Sequence, residues 1–187
     1  MKFAHVHIPK TAGGSVNDWF KQYNPDSLVF NTHNTIDKCQ TKFDFSFCIL
    51  RNTYYRLISA YEFAKSQALR KYNKRLSKGD IKGATEAFNM NTTDTDIISW
   101  LSYHIETDNN VVWPLDKWTK NVDIILNQEN IIEDFKLIQE KLNCFYPLQK
   151  TQHVLNYSKE KYLTEDYIAF VYRHFHKEID KYDYKVL

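Results

Sequence analysis

Glycine and proline are scarce in this chain, four of each in 187 residues. That excludes a fibrous repeat and leaves no Gly/Pro-rich linker. Cysteine is scarcer still: Cys39, Cys48 and Cys144 stand at irregular spacing. An odd, unpatterned set is not a disulfide framework, and no pair has the spacing of zinc ligands. They read as reduced, partly buried thiols, and no metal is expected. No apolar run approaches the roughly 20 residues that a membrane span needs. No charged-then-apolar leader opens the chain, so a soluble, cytoplasmic protein with no membrane partner is expected. An excess of one charge is missing too. The formal net charge is +2, with 25 basic and 23 acidic residues, which gives no ground for a nucleic-acid partner.

What is present is a core. Hydrophobic residues make up 43% of the chain and aromatics 16%, the composition of a folded globule. With no repeat and no linker, residues 1–187 are expected to form a single domain.

Apolar periodicity sets out the elements. Short strands are expected at "KFAHVHI", "SLVF", "FDFSFCIL" and "VDIIL". The end of the third is apolar at nearly every position, as in a strand buried on both faces. Helices are expected at "SVNDWFKQY", at "NTYYRLISAYEFAKSQALRKYNKRL", at "TDTDIISWLSYHI" behind a Thr or Asp cap, at "ENIIEDFKLIQEKLN", and at "TEDYIAFVYRHFHKEIDKY" behind Thr164. Alternating strands and helices predict an α/β fold: a P-loop-like parallel sheet with helices on both faces. Ligands of such sheets bind beyond the carboxyl ends of the strands. Three polar segments follow strands and should share that crevice: "PKTAGGS", "NTHNT" and "RNTYYR".

Half of the scarce glycine is spent in the first of them. In "HIPKTAGGSV" the pair Gly13-Gly14 is expected to let the backbone curl, so that the amides of Thr11, Ala12, Gly13, Gly14 and Ser15 point at an anion. The positive end of the following helix adds to the attraction. Thr11 and Ser15 offer hydroxyls, and Lys10, behind the rigid Pro9, offers an ammonium at the rim. A bare Gly-Gly turn before a helix is an equal alternative for the loop alone. In "CILRNTYYRLISAY", Arg51 leaves the third strand and Ser59 follows eight residues later. Together they make a fork of donors and a hydroxyl, suited to a second phosphate; a salt bridge at the sheet edge is the competing reading of Arg51.

"HIPKTAGGS" followed by "LRNTYYRLISAY" resembles the two signature regions of sulfotransferases that use 3′-phosphoadenosine 5′-phosphosulfate (PAPS). The resemblance is to the carbohydrate sulfotransferases of the heparan-sulfate 2-O type and their bacterial and viral relatives. Thr53 stands where that motif usually has proline. "VDIILNQENIIEDFKLIQEKLN" and "HVLNYSKEKYLTEDYIAFVYRHFHKEIDKYDY" are similar in style to later parts of the family, so the resemblance spans most of the chain; residues 66–120 carry little of it. The resemblance implies the sulfotransferase fold, PAPS as donor without a metal, and an acceptor alcohol, a glycan or a small molecule. It implies that the Pro9–Ser15 loop holds the 5′-phosphosulfate, that Lys10 acts on the oxygen bridging sulfur and phosphorus, and that Arg51 and Ser59 hold the 3′-phosphate. Arg56 is expected to be structural or at the rim.

An alcohol acceptor must lose its proton, and histidine suits that role near neutral pH. Of seven histidines, His33 follows the second strand at the crevice, and the resemblance implies a base there. His5 and His7 share one strand face and read as buried structural residues; His104, His174 and His176 read as surface or packing residues. His153 opens a loop that, by resemblance, helps to cover the nucleotide. Glu62 is the carboxylate alternative for the base. The basic run from Lys65 to Lys82 reads as a solvated helix face, or as a surface that draws an acidic acceptor. Two rival functions remain. A P-loop kinase or hydrolase calls for the lysine after the glycines and a strand-end aspartate, whereas Lys10 precedes them and Asp123 opens its strand. A non-catalytic nucleotide or glycan binder would keep Arg51 and Ser59 without needing Lys10 and His33 together.

Overall fold

A computed structural model of the chain describes residues 1–83, 96–149 and 157–186. Four strands, β1 (Phe3–Val6), β2 (Leu28–Thr32), β3 (Phe45–Leu50) and β4 (Ile124–Asn127), form a parallel sheet in the order β2-β1-β3-β4. The chain steps from β1 outward to β2, then back across β1 to β3. That reversal puts a topological switch point between β1 and β3, and a crevice opens beyond the carboxyl ends of those two strands.

Side-chain alternation divides the sheet's two faces. Phe3, Phe47 and Ile49 point to one side and pack against Val16, Trp19 and Phe20 of α1 (Gly13–Tyr23). Ala4, Val6, Cys48 and Leu50 point to the other, against Leu115 and Trp118 of α4 (Leu115–Thr119). Both central strands are therefore dry on both faces, which explains why they are apolar at every position but His5 and Ser46. Burial pushes the Cys48 thiol up to about 12, leaving it an inert core residue. All three cysteines are free thiols.

A helical layer completes the core. It consists of α2 (Thr53–Leu76), α3 (Ile97–Glu106) and α7 (Glu165–Lys181), which bury Leu57, Tyr61, Trp100, Leu101, Tyr167 and Val171 among them. The caps are those the sequence calls for. The Asp96 carboxylate accepts from the amides of Ile98 and Ser99, and the Thr164 hydroxyl from that of Tyr167. The expected continuous helix over 129–143 is instead a short turn and two pieces, α5 (Ile131–Asp134) and α6 (Lys136–Leu142), broken at Phe135. Phe135 is fully buried, and Ile131, Phe135 and Ile138, at i, i+4 and i+7, all pack against the α1 face. Residues 93–95, expected to open α3, lie outside the described residues.

Arg56 is structural. It is fully buried and donates to the carbonyls of Val111 (2.9 Å) and Trp113 (3.3 Å), with Glu178 of α7 at 3.8 Å. Glu178 also accepts from the Thr53 hydroxyl and from the Leu115 amide. Thr53, at the helix start where a proline would fit, thus supplies a donor to a buried carboxylate that proline lacks.

The sheet also holds a titratable column. His5 is fully buried, its ring stacked 4.5 Å from that of Phe47. Burial, and then the neighbouring His7, hold it well below the usual imidazole range. His7 is lowered to about 4, by burial first and His33 next. Both stay neutral in the fold while the unfolded chain protonates near 6.5. Stability is therefore full above about pH 6.5 and falls as pH drops toward 4, by up to ~3 kcal/mol for His7 alone. Urea unfolding at pH 7.5 and pH 5 should show this loss, and His5→Phe, which keeps the stack on Phe47, should reduce it.

Candidate functional site

The loop between β1 and α1 is built differently from the sequence expectation. Gly13 and Gly14 are already helical, opening α1 two residues earlier than "SVNDWFKQY" implied. The left-handed residues are Lys10 (φ 69°) and Ala12 (φ 70°). They alternate with Thr11 and Gly13, neither of which is left-handed, the alternation that turns successive amides toward one point. A left-handed backbone at two non-glycine positions is strain of the kind held at binding sites. The start of α1 has no side-chain cap and no acidic residue in its first turn, so its amides and dipole remain available to an anion.

Gly13 serves close approach instead. A Cβ there would stand 2.1 Å from the His7 ring. Gly13→Ala should displace either the ring or the loop and destabilise the fold by ~1–3 kcal/mol, the usual scale for overpacking. Adding His7→Ala should restore most of that loss in thermal melts. Thr11 is also redirected. It is fully buried and its hydroxyl donates to the Ile8 carbonyl at 2.9 Å, locking the turn. Only its backbone remains for a ligand.

A cavity of about 670 Å³ opens over this loop. It is lined by Pro9, Lys10, Thr11, Ala12, Gly13, Gly14 and Ser15, and also by His33, Arg51 and Ser59. Every residue singled out for the site in the sequence therefore faces one space. Lys10 projects its ammonium over the Phe63 ring, 3.9 Å from the centroid. Burial, with the nearby Arg51 guanidinium, lowers it to about 8. Arg51 donates to the Lys10 carbonyl at 3.1 Å, tying the end of β3 to the loop. Burial lowers its guanidinium, and Tyr157 and Glu129 pull it back; with five N–H donors it keeps capacity for an incoming anion. Ser59 is buried at the same wall, two turns into α2.

His33 stands just past β2, exposed, with Nδ1 2.6 Å from the His7 carbonyl. A carbonyl only accepts, so the proton sits on Nδ1 and Nε2 carries the free lone pair. Its own carbonyl accepts from the Asn110 side chain at 3.3 Å. His7, read from sequence as structural, lines the cavity: β1 ends at Val6, so His7 stands one residue beyond the sheet. His104 packs edge-on against Trp100, whereas His174, tilted beside Phe170, and His176 are exposed on α7. His153 lies outside the described residues. Glu62 is committed elsewhere, to Lys65, Lys161 and the Tyr162 hydroxyl.

Several lining residues escaped the sequence reading, among them Asn110, Val111, Phe63, Tyr157 and Lys159. Phe63 was findable, one helical turn beyond Ser59. Asn110 and Val111 sit in a single 3-10 turn that only tertiary packing carries to the crevice. The basic run of Lys65, Arg70, Lys71, Lys74, Arg75, Lys78 and Lys82 is not among the described lining residues; it lies along the outer part of α2 and beyond, mostly exposed. Asp123 sits at the amino end of β4, where its carboxylate accepts from the amide and hydroxyl of Ser46, both at 2.7 Å. It is thus at the end of the sheet opposite the crevice. Among the described residues no group of three or more His, Cys, Asp or Glu is placed to hold a metal, and no helix is long and apolar enough to cross a membrane. Comparison with protein-family models, curated proteins and solved structures finds no match to this chain.

Proposed function

We propose that this chain is a PAPS-dependent sulfotransferase, of the sulfotransferase fold, that moves a sulfuryl group to an acceptor hydroxyl, a carbohydrate hydroxyl first. One observation carries the reading. Lys10, His33, and Arg51 with Ser59 come from three separate segments, those that follow β1, β2 and β3, and all line the cavity over the uncapped start of α1. The likeness of "HIPKTAGGS" and "LRNTYYRLISAY" to the family's signature regions supports it.

The chemistry is an in-line displacement. The acceptor oxygen forms a bond to sulfur as its proton passes to Nε2 of His33. The bond from sulfur to the bridging oxygen breaks, and its electron pair stays on the departing 5′-phosphate. Lys10 meets that growing negative charge, so its contact strengthens in the transition state. The loop amides hold the 5′-phosphate, and Arg51 with Ser59 hold the 3′-phosphate. Products are the sulfate ester and 3′-phosphoadenosine 5′-phosphate. His33, being exposed, returns its proton to solvent. A magnesium-dependent kinase is disfavoured by Lys10 standing before the glycines and by Asp123 standing at the far end of its strand.

The donor site is tested by nucleotide choice. 3′-Phosphoadenosine 5′-phosphate should raise the melting temperature more than AMP or ATP does, because only it fills both anion positions. Arg51→Ala should weaken the bisphosphate by ~2–3 kcal/mol, the scale of a lost charge-assisted pair, and leave AMP little changed. Equal bisphosphate affinity in the variant would remove Arg51 from the 3′-phosphate.

A further inference from the structure

The His7 ring is in contact with both halves of the site. On one side it fills the space that a Cβ at Gly13 would take. On the other its centroid lies 4.3 Å from that of His33, tilted by 44°. Behind it stands His5, stacked at 5.2 Å, and behind that Phe47 at 4.5 Å. The column Phe47–His5–His7–His33 therefore runs from the dry core to the cavity. The backbone of His7 is clasped as well. Its amide donates to Thr32 at 3.1 Å and its carbonyl receives the His33 Nδ1–H. Sequence and sheet register explain the arrangement: His7 follows the last paired residue of β1, Val6, which stands opposite Thr32, so the next residues, His7 and His33, are brought side by side.

We propose that His7 is a positioning residue, whose ring holds the His33 imidazole over the cavity and couples its orientation to the packing of the anion loop at Gly13. It acts through His33 and not on the reacting atoms. The groups facing it are His5 from β1, His33 and Asn31 from β2 and its following turn, and Lys10 from the loop. Surrounded this way and lowered to about 4, the ring stays uncharged while His33 gains its proton, so no like charge stands beside the imidazolium on that side. A charged neighbour there would oppose the transfer. His7 thus fixes where the base sits without competing for the proton.

The inference rests on the proposed sulfuryl transfer for its kinetic readout, but not for its spectroscopic one. Nitrogen-15 NMR of the full chain should show His33 as a single Nδ1–H tautomer. His7→Ala keeps the carbonyl that holds Nδ1. Without the ring beside it, the His33 imidazole should leave that bond part of the time, so the two tautomers should mix. The same variant should lose ~10- to 100-fold in kcat, the scale of a misplaced catalytic group, with KM for the donor within about 3-fold. His7→Phe keeps a ring against Gly13 and His33 and should recover most of both signals. A folded His7→Ala that keeps one tautomer and full kcat would overturn the proposal. Equal losses in kcat and donor affinity would also overturn it, making His7 part of the donor seat. A phenylalanine variant no better than alanine would do the same. If His7→Ala fails to fold, His7→Phe decides alone: a retained tautomer supports the role and a mixed one contradicts it. If the parent transfers no sulfate, the proposed function falls, and the tautomer measurement still decides the positioning.

Discussion

His33→Ala is expected to lower transfer to an alcohol by ~10²–10⁴-fold, the usual scale for loss of a general base, while bisphosphate affinity stays within a few-fold. The separation follows from where the side chain sits. His33 belongs to the turn after β2, whereas the anion loop, Arg51 and Ser59 belong to β1–α1 and β3–α2. Its removal takes away the proton acceptor and leaves the phosphate contacts in place. The bond from Nδ1 to the His7 carbonyl fixes the tautomer whose Nε2 is free, so the parent's rate should rise with pH through one ascending limb. Full activity in the variant would move the base to another residue lining the same cavity, with His7 the first to examine.

Lys10→Ala is expected to reduce turnover far more than it weakens product binding. The ammonium meets its largest partner charge as the sulfur–oxygen bond breaks, so its loss falls on kcat more than on affinity. Removing one such stabilising group from a comparable site lowers kcat by ~10²–10³-fold. The neighbourhood adds a pH dependence. Burial and Arg51 lower Lys10 to about 8 in the unliganded protein. The charged form is the active one, so kcat/KM for the donor should fall as pH rises past about 8. Bound donor, being anionic, should push that limb of kcat to higher pH. Equal losses of turnover and product affinity in Lys10→Ala would make the lysine a binding cation only.

The parts of this molecule that were legible in sequence are those fixed by local pattern. β3 could be read because a strand dry on both faces is apolar at successive positions, and Phe47 to Leu50 are fully buried. Asp96 and Thr164 could be read as caps because a helix start needs an acceptor for its free amides. That the segments after β1, β2 and β3 meet at one crevice follows from parallel topology, and Lys10, His33 and Arg51 do meet there.

What was not legible depended on tertiary fit. The glycine pair drew attention as the source of the loop's curl, but the left-handed positions are Lys10 and Ala12, and Gly13 is required by the His7 ring. Period-two reasoning placed His5 and His7 on one face correctly. It could not tell that the sheet ends between them, burying one and leaving the other at the cavity. The division of the helix at Phe135 has no sequence signature, because Ile131, Phe135 and Ile138 keep one continuous apolar face across it. Asn110 reaches His33 from 77 residues away, a contact with no local signature.

The most direct test is movement of labelled sulfate. The purified chain is incubated with sulfur-35 PAPS and a panel of glycans, phenols and small alcohols, with a chelator present, and both labelled ester and 3′-phosphoadenosine 5′-phosphate are measured. The account predicts that label passes to at least one hydroxyl acceptor in equal amount to the bisphosphate formed, and that Lys10→Ala and His33→Ala each suppress it. Label remaining on the donor throughout, with the γ-phosphate of ATP transferred instead when magnesium is supplied, would contradict it.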